Sequence, residues 1–371
     1  MIKRLMAFLV ALEIPVPTFG STNYATRYQN RTVRRFAWFN LPGRMRDAWY
    51  TWQLDRRGIA AVAGGAKTRV AAISPLFYSK VFGGLPSIVD VSMFPGNIFY
   101  VDSGDGADTA GNGTHPDSPF ETIDFAVGQC TAAQGDVIFV LPGHAETISA
   151  AGGLDLDVAG ITIIGIGEGA DQPTVTLDTV NTADIDIDAA NITIVNVNFV
   201  ANFADIVAAI DVNADDFTLR KCRFTESATA VNALIWVQDG TGTTSDRITI
   251  EDCRANCPDA ANTHFINFAG TGDGHRVNRN TLMGDWGTMC IGGAGVITYA
   301  EIKDNTIMNK ASDNDACVNV AATATGVCVR NLAGGAAAQA NGITTGDMVA
   351  AENYYCVHTE DLQAILDPIV T

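Results

Sequence analysis

Three aspartates, Asp184, Asp186 and Asp188, stand two residues apart in the stretch ADIDIDAANITIVNVNFV, residues 183–200. Carboxylates set this close together could work as a general acid and base, or could ligate a hard cation through oxygen. The intervening Ile185 and Ile187 tell which element carries them. Side chains alternate across a strand, so the isoleucines face one way and the acids the other. Related triplets occur along the chain as LDL (154–156), IDV (210–212), IWV (235–237), INF (266–268) and VNV (318–320). Stacking these triplets puts Asp155, Asp186, Asp211, Trp236, Asn267 and Asn319 in one outward row. Asp157, Asp188, Asn213 and Gln238 form a second row beside it. Paired strands lie about 4.8 Å apart, so neighbouring carboxylates in such a row repel and raise one another's pKa.

Three chemistries follow from that row. In the first, Asp186 and Asp211 are the acid/base pair of a polysaccharide hydrolase, Asp188 assists, and Trp236 is a carbohydrate-binding platform. In the second, Asp155, Asp186 and Asp211 hold calcium. In the third, the row is a solvated outer face whose charges discourage edge-to-edge aggregation. The third needs no further residues and is the reading adopted. The five histidines are scattered. His264 and His275 could approach one another as a metal pair, but both read as ordinary turn residues. GTGDG (270–274) is a glycine-rich corner, because no Lys-Ser/Thr follows and no βαβ unit surrounds it. No GxSxG-type nucleophile motif occurs, and no cofactor is expected.

The elements that must position these residues form a repeat. A second strand recurs as ITI (161–163), ITI (192–194), FTL (217–219) and ITI (248–250), then as YAEI (299–302) and VCV (327–329). A third ends on Phe199, Phe224, Leu282 and Ile307. Three short strands per unit, with an interval of 25 to 31 residues, specify a coil that stacks strand on strand in parallel. The expected fold is all-β, a right-handed parallel β-helix of roughly seven to eight turns over residues 96–355. A capping helix is expected near 118–130, with Ser118 as N-cap and Glu121 three residues on. Residues 356–371 are assigned as a C-terminal cap.

Residues 1–95 differ in kind. They carry 13 Lys/Arg against 4 Asp/Glu, net +9, whereas residues 96–371 carry 10 against 37, net −27. Arg31, Arg34, Arg35, Phe36, Trp38, Phe39, Arg44, Trp49 and Trp52 mix cations with aromatic anchors and lack any sustained period. They read as an extended, irregular anchoring region that docks on an acidic protein surface, in preference to nucleic acid. The first twenty residues resemble a secretory signal, but Glu13 and two prolines interrupt the apolar run and no A-x-A site follows. No run of about 18 apolar residues is present, so no membrane partner is expected. Eight cysteines without CxxC pairs read as reduced, buried thiols.

The order YVDSG, PFETIDFAV, then GDVIFVLPGHAETI resembles the N-terminal module of the pectate-lyase-like right-handed β-helix superfamily. That resemblance covers about 260 residues, the span of the acidic part. It implies the fold and leaves activity open between lyases, hydrolases, epimerases and inert virion proteins. A pectate lyase would also need an arginine base near the carboxylates, and the rows offer none. A basic aromatic region joined to a short acidic β-helix further resembles bacteriophage decoration proteins, fibres and tailspikes. The resemblance implies a virion structural protein, bound to capsid or tail platform and expected to be a homotrimer. A polysaccharide-degrading tailspike is the alternative.

Overall fold

The computed structural model describes residues 95–228, 230–240, 244–311, 315–336, 339–357 and 367–368. The basic residues and aromatics of the N-terminal region, Arg31 to Trp52, lie outside the described residues. Ser92–Thr371 forms one compact unit.

That unit is a parallel β-helix. Sheet 1 has ten strands, from Ile98–Val101 and Val137–Val140 to Val349–Ala351. Sheet 2 also has ten, nine parallel from Ala145–Ile148 to Tyr354–Val357 and Asp367–Pro368 added antiparallel at its end. Sheet 3 has eight, from Leu154–Leu156 to Ile343–Thr344. The chain visits the sheets in turn, and each strand pairs in parallel with its equivalent one turn later. Eight strands in sheet 3 correspond to eight turns.

Period-two alternation places one side of every strand inside. Ile185, Ile187, Ile194, Phe199, Ile210, Val212, Leu219 and Phe224 are all buried, and they belong to one continuous core. Full burial of such a side chain stabilises by roughly 1.5–3 kcal/mol, but only when the next turn covers it. Phe199 and Phe224 stack across adjacent turns at 5.3 Å.

The first turn is closed by a helix at Ile123–Val127, shorter than expected and capped differently. Thr122 is the N-cap, its Oγ1 accepting from the Phe125 amide at 3.2 Å. Ser118 cannot serve, because Phe120 is still extended: its amide donates to Tyr100 and it bridges Val101. Asp108 accepts from the Thr122 hydroxyl at 2.8 Å, and Glu146 accepts from the Ile123 amide at 3.0 Å. The helix end is thereby tied to a loop and to sheet 2. Gln339–Gly342 forms a second, four-residue helix.

From Asn196 onward the corner from sheet 1 to sheet 2 is one left-handed residue on each turn: Asn196, Lys221, Asp252, Arg279, Asp304, Arg330 and Glu352, with φ between 55° and 60°. From Lys221 onward the sign of charge alternates turn by turn. Arg279 binds Asp252 at 2.8 Å and Arg330 binds Asp304 at 2.7 Å. The residue after each of these points inward: Val197, Cys222 and Cys253, then Asn280, Asn305, Asn331 and Asn353. The four asparagines form a buried ladder. Asn305 Oδ1 accepts from the Asn280 main chain at 3.0 Å and its side chain at 3.1 Å. Asn305 Nδ2 donates to Val277 O at 2.8 Å and to Asn331 Oδ1 at 2.9 Å. The same pattern links Asn331 to Asn353. Without these amides the corner would bury unpaired main-chain groups.

Candidate functional site

The acid row lies on the outer side of sheet 3. Leu154, Ile185 and Ile210 on one side and Leu156, Ile187 and Val212 on the other turn inward, which forces Asp155, Asp186 and Asp211 outward. The register is strict. Asp155 pairs with Asp186, and Asp186 with Asp211. Asp188 sits beside them, its Oδ1 accepting from Asn213 Nδ2 at 3.1 Å. Sequence spacing therefore located the three acids and their order correctly.

Trp236 is not in the row. Asp211 pairs with Gln238, and Gln238 with Asn267, two residues beyond the expected position. Trp236 is 0% exposed and packs edge-on against Phe224 at 5.4 Å. It and Phe265 fill an interior corner, both closing on Phe224, the latter at 5.0 Å. No sugar can stack on Trp236, so the carbohydrate platform expected there is withdrawn. Gln238 likewise belongs to the first row, not the second.

The row runs Asp155, Asp186, Asp211, Gln238, Asn267, Gly292, Asn319 and Thr344, with its three acids at one end. Asn267 Nδ2 donates to Gln238 Oε1 at 3.3 Å, and Gln238 in turn donates to Asp211. Burial raises the Asp211 carboxyl, against those hydrogen bonds, and its Oδ1 is buried without a partner. Asp155 is raised by partial burial and by Asp157, Asp188 and Asp124, and its Oδ1 is likewise unpartnered. Asp186, in the middle, is pushed up to about 6 by burial and by Asp184, Asp188, Asp211 and Asp155. Asp184 is also raised by burial, while the Gly152 amide donates to it at 2.5 Å. The repulsion built into the sequence is eased by amide donors at one end and shows at Asp186 as a carboxyl raised to about 6.

Such a row can donate a proton near neutral pH. It does not assemble a metal site: among the described residues no three His, Cys, Asp or Glu groups converge to hold an ion, Asp155, Asp186 and Asp211 included. His264 and His275 are separate structural groups. His264 touches Thr263 Oγ1 at 3.0 Å. His275 stacks on Phe268 at 5.4 Å, its Nδ1 accepting from the Ile248 amide at 3.2 Å. Burial pushes both imidazoles down to about 4.

One acid escaped the sequence reading. Asp239 occupies an inward position in register with Val212 and Phe268. It is buried, and its Oδ1 accepts from the Ala269 and Gly270 amides. Burial pushes it up to about 6. Its phase with Val212 was the available signal. All eight cysteines are free, six of them buried.

No family model matches the chain, and no curated protein does either. Among solved structures, a rhamnogalacturonan lyase is similar at 12% identity and a TM-score of 0.43, over 64% of this chain and 68% of that one.

Proposed function

We propose that this chain is a structural protein of a bacteriophage particle, of the capsid decoration, cement or fibre type. Its N-terminal region attaches to other virion proteins, and the β-helix projects as a rigid strut, three copies together. One observation carries the reading: charge divides sharply along the chain, +9 over residues 1–95 against −27 beyond. Arginines interleaved with Phe36, Trp38, Phe39, Trp49 and Trp52 suit charge-assisted docking with buried aromatic anchors. The strut role suits a β-helix clamped over its later turns by the asparagine ladder and the corner ion pairs. Association of copies is supported by an exposed apolar strip on the last turns of sheet 2, where Met283 pairs with Met308 and Leu332 with Tyr354. The test is deletion of residues 1–60: the protein should still give a folded β-helix yet be lost from purified particles, whereas undiminished incorporation would remove the anchoring role.

A second reading, a polysaccharide-degrading β-helix, is favoured by Asp186 alone. A carboxyl raised to about 6, one rung from Asp211, has the proton a general acid requires. Release of reducing ends or unsaturated sugars from host polysaccharides, lost in Asp186→Asn and Asp211→Asn, would establish it over the structural reading.

A further inference from the structure

The corner that leads into sheet 1 also turns through one left-handed residue per turn. Its occupants are Ala133, Gly160, Asn191, Asp216, Arg247, Gly274 and Tyr299, with φ between 52° and 79°. Main-chain hydrogen bonds link the successive corners, Arg247 N to Asp273 O and Gly274 N to Thr298 O among them. Small or short polar residues suit such a position, and a bulky aromatic is strained in it. Tyr299 gains nothing in burial to offset that strain: it is 79% exposed, more than any other large hydrophobic of the described residues. Folding does not explain it.

What surrounds Tyr299 does. A groove of about 610 Å³ runs along the outer face of sheet 1, lined by Thr218, Thr249, Arg247, Arg276, Glu301 and Tyr299 among others. Gly274, between Arg247 and Tyr299 in the corner column, leaves a notch where every other recent turn has a side chain. Arg247 is fixed by Asp216 at 2.6 Å and Asp215 at 3.2 Å. Arg276 is only loosely held, 3.7 Å from a Glu301 that also binds Lys303. Its guanidinium is therefore free to make new hydrogen bonds. Two cations, Arg247 and Arg276, face two anions, Asp216 and Glu301, so the lining itself sums to zero, and with Asp215, Asp246 and Lys303 at its margin the cluster stands at −1. This is an exception in a part of the chain with net charge −27.

We propose that this groove binds an uncharged oligosaccharide, with a hexose ring laid on Tyr299 and its hydroxyls on Arg276 and Glu301. An exposed aromatic face takes the C–H side of a sugar ring, and planar charged groups take its vicinal hydroxyls in pairs. Threonine hydroxyls follow at the rung spacing of about 4.8 Å, close to the length of one hexose in a chain. Charge balance selects against an anionic sugar, which the surrounding acidic surface would repel. The site is separate from the acid row on sheet 3 and stands whether or not the chain belongs to a particle.

The test is affinity electrophoresis of the full chain through gels containing dextran, mannan, galactan, β-glucan or polygalacturonate. Retardation by at least one of the four neutral polymers is expected, and none by polygalacturonate. Tyr299→Asn should weaken retardation about tenfold while the unfolding midpoint stays or rises, since asparagine tolerates the left-handed corner. Gly274→Asn, which fills the notch beside the Arg247 stem with the non-glycine residue that best tolerates a positive φ, should weaken it likewise. No retardation by any neutral polymer, stronger retardation by polygalacturonate, or unchanged retardation in both variants would overturn the proposal.

Discussion

Asn305→Ala isolates what the buried amide ladder contributes. In the native chain Asn305 Oδ1 accepts from both the Asn280 main chain and side chain, and Nδ2 donates to Val277 O and Asn331 Oδ1. Truncation leaves the Asn280 amide hydrogen without its acceptor. It also takes an amide donor from the Val277 carbonyl, and both groups are buried. The Asn280 side chain keeps its bond to Ile250 O, and Asn331 keeps the Asn305 main-chain donor, so these losses are partial. Each orphaned buried group costs about 1–3 kcal/mol, which gives roughly 4 kcal/mol for the pair together with the small cavity. In a unit of this size that corresponds to a fall in Tm of roughly 10 °C. Urea unfolding followed by circular dichroism, with midpoint and slope both compared, reads it directly. Thr281→Ala, on the exposed side of the adjoining strand, is the control and should shift stability by less than about 0.5 kcal/mol. Cys253→Asn is the complementary change. It continues the ladder by one rung, because Cys253 N already donates to Asn280 Oδ1 at 2.9 Å, and it should be tolerated. A loss below about 1 kcal/mol in Asn305→Ala, level with the surface control, would refute the reasoning.

Other consequences are equally open to measurement. Asp186 is neutral more readily when folded (near 6) than when unfolded (near 3.8), so its favourable contribution is complete below pH 3.8 and vanishes as pH rises through 6. Asp186→Asn should therefore match the parent at pH 4 and exceed it at pH 7.5, by about 1 kcal/mol once solvent screening is allowed for. A larger gain at pH 4 than at 7.5 would contradict the assigned sign. Trp236→Ala, which empties an interior corner, should destabilise by about 3–5 kcal/mol; a neutral effect in thermal unfolding would mean that the indole is not in the core. A thiol reagent should label only Cys130 and Cys356 in the native protein and all eight cysteines after denaturation. Rapid native labelling of Cys290 or Cys317 would show that the interior opens.

The fold was legible because alternation of apolar and polar residues recurs at a nearly constant interval. Asp155, Asp186 and Asp211 could be aligned for the same reason. Trp236 was misplaced because IWV shares its flanking Ile and Val with IDV. The structure pairs Val237 with Ile210 instead, since this strand and the next start earlier and bury Trp236 and Phe265 in a wider corner. The asparagine ladder was written as RN, DN, RN and EN before successive strands, but asparagine reads as a turn residue unless its inward direction is known. Ser118 with Glu121 mimics a capping box. What sequence spacing could not tell is that Phe120 remains paired to Tyr100, which delays the helix to Thr122.

The measurement that bears most directly on the proposed role is a density map of the assembled particle at side-chain resolution. The account predicts residues 1–95 lying on another virion protein, with the arginines and tryptophans between positions 31 and 52 at the contact. Those residues packed wholly against their own β-helix, with no second protein beneath them, would contradict it.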